Sequence, residues 1–254
     1  MPDDTTGELI RVQHREGIVS LTLNRPERKN ALSLSLLDAL GEALSKAVRE
    51  DVGAVVIAGA GGCFSAGADL AELSGTAADL AIDDAIETIT TAIRKLPIPV
   101  IAVIDGPCLG GAFDLAMSCD LRIASAGAFF QVPATRMGLL YNPRSVMRMR
   151  QLLGRDAVFR LLVLGERFDA EAALEAGVVS SIVTEAQRLE AAMTIAACAA
   201  GNEPNAVAAS KELLNALDGD DYDPRHWEKV RRKLLSSPER EAAVAREKAR
   251  RGNS

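Results

Sequence analysis

Apolar positions along the chain follow two rhythms, one of strands and one of helices. Gly17 to Leu23 alternates apolar and polar residues, the pattern of a half-buried strand. Leu34, Leu37, Leu40 and Leu44 return at helical spacing, which predicts a helix to about Arg49 with Ser33 or Ser35 as its cap. Ala54 to Ala60 is apolar without a break and reads as a strand buried on both faces. A helix over about 77–96 leads through Pro97 and Pro99 into a second unbroken run ending at Ile104. There follow a Gly110-Gly111 corner, a short buried helix and another apolar run, Leu121 to Ala124.

Beyond these, Phe129 to Val132 predicts a short strand and Pro133 to Tyr141 a loop. Asn142-Pro143 offers a cap with proline at the first helical position, and that helix runs towards Leu153. Further helices are expected over about 156–164 and from Asp169 or Ala170 to Gly177, then a strand from Val178 to Val183. The remainder reads as helical, broken near 201–204, 218–223 and 236–238. Apolar strands alternating with helices imply an α/β core, placed at 1–195, with a helical region over 196–254.

Composition narrows the function. With 254 residues the chain is long enough for a substantial core, and its net charge of −6 and 4% aromatic content offer no basic or base-stacking face for nucleic acid. The Arg240 to Arg251 stretch interleaves Arg and Lys with Glu and Ala and reads as a solvated helix. No apolar segment is long enough to span a bilayer, and the polar start Met1-Pro2-Asp3-Asp4 has no apolar targeting core. Cys63, Cys108, Cys119 and Cys198 lack metal-ligand spacing and lie in apolar runs, so reduced buried thiols of a cytoplasmic protein, and no metal, are expected. His14 and His226 stand outside every motif.

The chemistry gathers on Asp105 to Asp120. Gly110-Gly111 at a strand-to-helix corner lets backbone approach a ligand and leaves amides unpaired at the helix start, and Asp114 falls in the first turn. Two readings stand: a carbonyl-polarising site, or a packing turn whose acid stabilises the helix dipole. A second strand ends in the small-residue turn Ser65-Ala66-Gly67. One N–H from each turn, aimed at a shared point, makes an oxyanion hole.

Asn24-Arg25-Pro26, Asn30-Ala31-Leu32, Phe64-Ser65-Ala66-Gly67-Ala68-Asp69-Leu70 and Gly106-Pro107-Cys108-Leu109-Gly110-Gly111, followed by Asp114-Leu115-Ala116 and Cys119-Asp120-Leu121-Arg122, occur in an order that closely resembles the crotonase (enoyl-CoA hydratase/isomerase) superfamily. Weaker matches extend the likeness over roughly residues 10 to 185. The resemblance implies a spiral of ββα units with a helical C-terminal region that builds trimers, often paired into hexamers. It also implies an acyl-CoA ligand, with coenzyme A part of the substrate and no separate cofactor. Its thioester oxygen would lie between the amides of Ala66 and Gly111, next to Gly110. On the same likeness Arg28 and Lys29 lie near the CoA phosphates, unless they are ordinary solvated loop charges. The backbone of Ala68, Asp69 and Leu70 lies near the adenine, and Pro133, Ala134, Tyr141, Asn142, Arg136 and Arg144 near the acyl end.

The chain departs from the family pattern where hydratases carry two glutamates around one water. The first position holds Asp114, one methylene shorter by ~1.5 Å, and the second holds Ala134, which neither accepts nor donates a proton. Double-bond isomerisation needs only one carboxylate, and Asp114 suits that role. The expectation is therefore an enoyl-CoA isomerase or weak hydratase, or else an acyl-CoA-binding protein without turnover. For Arg144 and Arg136 the alternatives are pairing with an anionic acyl group, or an Asn142-capped helix whose Arg144 points to solvent. Asp69 and Asp120 are expected to hold loop backbones.

Overall fold

The computed structural model describes residues 8–50, 52–219 and 222–252. The polar N-terminal tetrapeptide and part of the break expected near 218–223 lie outside them. Six strands form the main sheet: β1 (Ile10–Arg15), β2 (Ile18–Leu23), β3 (Ala54–Gly59), β4 (Val100–Ile104), β6 (Leu121–Ser125) and β9 (Ser181–Val183). Only β1 runs antiparallel, against β2; the remaining neighbours are parallel, in the order β1-β2-β3-β4-β6-β9. A second sheet of β5 (Pro107–Leu109), β7 (Phe129–Gln131) and β8 (Phe168–Asp169) lies beside it. Strand β4 is buried along its whole length, as an unbroken apolar run requires.

The helices between them are α1 (Leu34–Arg49), α2 (Leu80–Lys95), α3 (Gly111–Met117), α4 (Pro143–Val158) and α5 (Ala170–Glu175). The Ser33 hydroxyl caps α1 by accepting from the Leu36 amide. The buried stripe of α1 is Leu36, Leu37, Leu40 and Leu44, whereas Leu34, expected on that face, is 42% exposed in the first turn. Helix α4 contains a break at Gly154 (φ 77°), where the sequence predicts one helix ending and another beginning. Helix α6 (Arg188–Ala200) buries Ala192 and Ala196 against the opposite face of the main sheet, beside Ile18, Val56, Ile101 and Ile123. The remaining helices are α7 (Pro204–Leu217), α8 (Pro224–Leu235) and the largely exposed α9 (Pro238–Gly252).

Two polar ties hold the layers in register. Asp120 accepts from the Val100 amide at 2.7 Å and from the Lys211 ammonium at 2.7 Å, and that ammonium also reaches the carbonyls of Ile93 and Ile98. Asp69 accepts from the Ala71 amide and pairs with Arg25 at 3.0 Å. Asp69 thus holds loop backbone, as expected, whereas Asp120 holds the first residue of β4. Cys63, Cys108 and Cys119 are buried, but Cys198 is exposed on α6, because it faces away from the alanine stripe that meets the sheet. Among the described residues no helix is long and apolar enough to cross a membrane, and no cluster of metal-ligating side chains occurs.

Candidate active site

The two small-residue corners meet. Residues 64–65 run beside 105–109: the Phe64 amide donates to Asp105 at 2.7 Å, Ser65 to Pro107 at 3.1 Å, and Leu109 back to Ser65 at 3.1 Å. At Gly67 (φ +88°) a side chain would put its Cβ 2.5 Å from the Leu109 carbonyl oxygen and 3.4 Å from the Gly111 nitrogen. Only glycine allows this backbone-on-backbone approach. Asn30, itself at φ 52° and buried, fastens the neighbouring loop by donating to the carbonyls of Ala60 and Cys63 while accepting from the Arg25 amide.

The amides at these corners divide into engaged and free. Ala66 donates to the Lys29 carbonyl at 2.9 Å, Gly67 to the Ser65 hydroxyl at 3.2 Å and Asp69 to the Leu32 carbonyl at 3.0 Å. Gly110 donates to the Gln131 carbonyl at 2.9 Å. Among the described residues, the amides of Ala68 and Gly111 meet no acceptor. The expectation for Ala66 is therefore corrected: its hydrogen is committed to the 24–32 loop, and the free donor on that corner belongs to Ala68. The sequence did not separate the two, because the Leu32–Ala68 bridge that alternates bonded and free amides forms between remote segments. Gly110, at φ 52° and ψ −121°, turns the chain into α3, and the Tyr141 hydroxyl donates to its carbonyl at 2.9 Å.

Asp114 is 2% exposed, and its carboxylate is held by α4. Ser145 Oγ donates to Oδ2 at 2.5 Å, and Arg148 Nη2 lies 2.9 Å from Oδ1 and 3.0 Å from Oδ2. The same guanidinium reaches both oxygens of Glu87 on α2 at 3.1 and 3.0 Å, and also bonds Ser145 Oγ at 3.0 Å. Arg148 is buried, and its Nε finds no acceptor among the described residues. Burial pushes the Asp114 carboxyl up from its ordinary value, with Arg148 and Ser145 pulling against it. At Glu87 burial works in the same direction, but Arg148 outweighs it and holds that carboxyl below the usual range. Burial also pushes the Tyr141 phenol well up.

Other expected residues fall into two groups. Ala134 is buried, and Asn142 caps α4 through the Arg144 amide while donating to Asp83 at 2.9 Å. Arg144 has a side chain 75% exposed and 4.0 Å from Glu87, so the capped-helix reading describes it. Arg136 donates to the Gly165 carbonyl at 3.0 Å. Arg28 and Lys29 are exposed on the 24–32 loop, Leu70 is exposed beyond the first corner, and Pro133 is partly buried. Glu87, Ser145 and Arg148 were not anticipated. The one signal for them is that Ser145 and Arg148 are three apart beside Met149, so they share the buried face of α4.

A family model described as "Enoyl-CoA hydratase/isomerase" matches residues 13–246. A probable enoyl-CoA hydratase, echA6, of Mycobacterium bovis is 35% identical over 240 residues, covering 94% of this chain and 96% of that protein. The mitochondrial Delta(3,5)-Delta(2,4)-dienoyl-CoA isomerase of Mus musculus is 33% identical over 210 residues, covering 76% of this chain and 64% of that protein. Among solved structures, an enoyl-CoA hydratase from Bacillus anthracis superposes with a TM-score of 0.87 at 30% identity, covering 96% of this chain and 97% of that one.

Proposed function

The chain belongs to the enoyl-CoA hydratase/isomerase family, and from that premise we propose that it binds an acyl-CoA thioester and moves a double bond along the acyl chain through a thioester enolate. The observation that carries this reading is the pair of unpaired amides, Ala68 and Gly111, on corners in backbone contact. Two fixed donors stabilise the oxygen on which enolate charge develops, and removing one such donor in an enzyme costs about 10²–10³ in rate.

In this reading the thioester oxygen sits between those amides. Asp114 takes a proton from one carbon of the acyl group, the C–H electrons delocalise onto the thioester oxygen, and the proton returns at a second carbon as the double bond shifts. Burial that raises the Asp114 carboxyl favours this role, because a general base works best with a pKa near the operating pH. Water addition by two carboxylates is not supported, since Ala134 supplies no acid. Arg28 and Lys29, exposed on the loop beside the first corner, are proposed to meet the CoA phosphates. The exposed Leu214, Leu217 and Leu235 of the C-terminal helices are proposed as contacts of a homotrimer, which sedimentation would test.

One observation favours a second reading, an acyl-CoA binder without turnover: Arg148 and Ser145 already engage both oxygens of Asp114. Assays of 3-enoyl-CoA and 2,4-dienoyl-CoA isomerisation beside crotonyl-CoA hydration separate the two. Isomerisation that disappears in Asp114→Asn, with acyl-CoA binding retained, supports catalysis. Tight acyl-CoA binding with no turnover on any of the three substrates supports the binder.

A further inference from the structure

Helix α4 presents two polar side chains, three residues apart, to a single buried carboxylate. We propose that Ser145 is a positioning residue for Asp114: its hydroxyl occupies Oδ2 and leaves Oδ1 as the oxygen that carries the proton. The inference deepens the isomerase reading and rests on it for the rate, though not for the geometry.

The bonding directions follow from what each group is able to do. An ionised carboxylate only accepts, so the Ser145 hydroxyl is the donor of its contact with Asp114. The serine hydrogen is then turned towards Asp114 Oδ2, 2.5 Å away. Arg148 Nη2 stands 2.9 Å from Oδ1 and 3.0 Å from Oδ2, so its two hydrogens, which also face Glu87 and Ser145, favour neither oxygen, whereas the serine hydrogen falls on Oδ2 alone. A proton abstracted by this carboxylate therefore has its less occupied position on Oδ1. Ser145 is fully buried, so it acts on Asp114 and not through solvent.

The groups facing Asp114 are few. Arg148 and Ser145 come from α4, Glu87 reaches it from α2 through Arg148, and Tyr141 approaches from the preceding loop with Cys108 of β5 beside that phenol. Burial pushes Tyr141 and Cys108 well up, so both are neutral through the acid range, while Arg148 holds Glu87 down. The carboxyl of this cluster whose titration burial displaces upward is thus Asp114.

The test uses the full chain and Ser145→Ala, which removes one oxygen and adds no bulk. Asp114 is followed by carbon NMR of γ-carboxyl-labelled aspartate, with Asp114→Asn to assign the signal, beside the pH profile of 3-enoyl-CoA isomerisation. The expected result is a titration midpoint displaced upward in Ser145→Ala, because an anion-stabilising donor is gone. The acidic limb of the kcat profile, set by protonation of the base, should move the same way, and kcat should fall by about 10–100-fold with KM unchanged. A midpoint identical to wild type overturns the proposal, as does a rise in KM without a fall in kcat. Absence of turnover in the wild-type protein would count against the isomerase reading alone, since the NMR titration reads the positioning role directly.

Discussion

Replacing Gly67 with alanine tests the oxyanion hole without touching a charged group. The new methyl would stand 2.5 Å from the Leu109 carbonyl oxygen and 3.4 Å from the Gly111 nitrogen. Carbon makes its best non-bonded contacts at about 3.5–4.0 Å, so relief requires one corner to move by about 1 Å. The backbone adds its own penalty, because φ of +88° is a left-handed value that costs an L-residue about 1–2 kcal/mol. A 1 Å displacement of catalytic groups costs about 100-fold in rate, or about 2.7 kcal/mol of barrier. Overpacking costs about 1–3 kcal/mol of stability, which for a chain of this size lowers Tm by about 2–12 °C. The assay is kcat/KM on a 3-enoyl-CoA, together with the infrared shift of the bound thioester carbonyl in a saturated acyl-CoA. Expected are a rate loss of about 100-fold and a smaller carbonyl shift, with the protein still folded. A variant with wild-type rate and undiminished carbonyl shift would refute the argument that these corners share one oxygen.

Arg148→Leu leaves Asp114 and Glu87 buried without their shared cation, and chemical denaturation at pH 7.5 should show a loss of about 3–5 kcal/mol. In the wild type Glu87, held below its ordinary value, contributes stability above the unfolded carboxylate pKa, and this is lost as pH falls through the folded one. The Arg148→Leu deficit should therefore shrink below about pH 5, where carboxylates protonate, and a deficit independent of pH would contradict the pairing. Installing glutamates at Asp114 and Ala134 together should raise crotonyl-CoA hydration by at least about 10²-fold, the contribution of one added acid–base group; no gain would show that the missing acid is not what limits hydration. Lys211→Met removes the donor shared by Asp120, Ile93 and Ile98 and should cost about 1–3 kcal/mol, seen as a drop in Tm of about 2–12 °C.

Much of this molecule was legible from the pattern of the chain. The unbroken apolar runs became β3 and β4, and the Gly110-Gly111 corner became the start of α3. Asn142-Pro143 opened α4 as read. The misreadings have physical causes. Leu34 keeps helical spacing with the buried stripe but sits in the first turn, at the edge of the contact, while Leu36 takes the buried place. Strand β1 is polar at Arg11, Gln13, His14 and Arg15 and buries only Ile10, so its pairing with β2, not its own pattern, defines it. Ala66 and Ala68 are two apart on one corner, and which amide is free depends on carbonyls from residues 29 and 32. The Glu87–Arg148–Asp114 network joins three helices separated by long stretches of chain, and a charged residue on a helix gives no sign in sequence of whether it meets solvent or a partner.

The contact from Tyr141 to Gly110 reaches further than its length suggests. The carbonyl that receives the phenol and the amide hydrogen of Gly111 belong to one planar peptide unit, so electron density drawn to one end leaves the other end more positive. A side chain thirty-one positions downstream thereby strengthens a donor it never touches. Tyr141→Phe keeps the ring and deletes that polarisation, making the potency of a main-chain group adjustable by ordinary mutation.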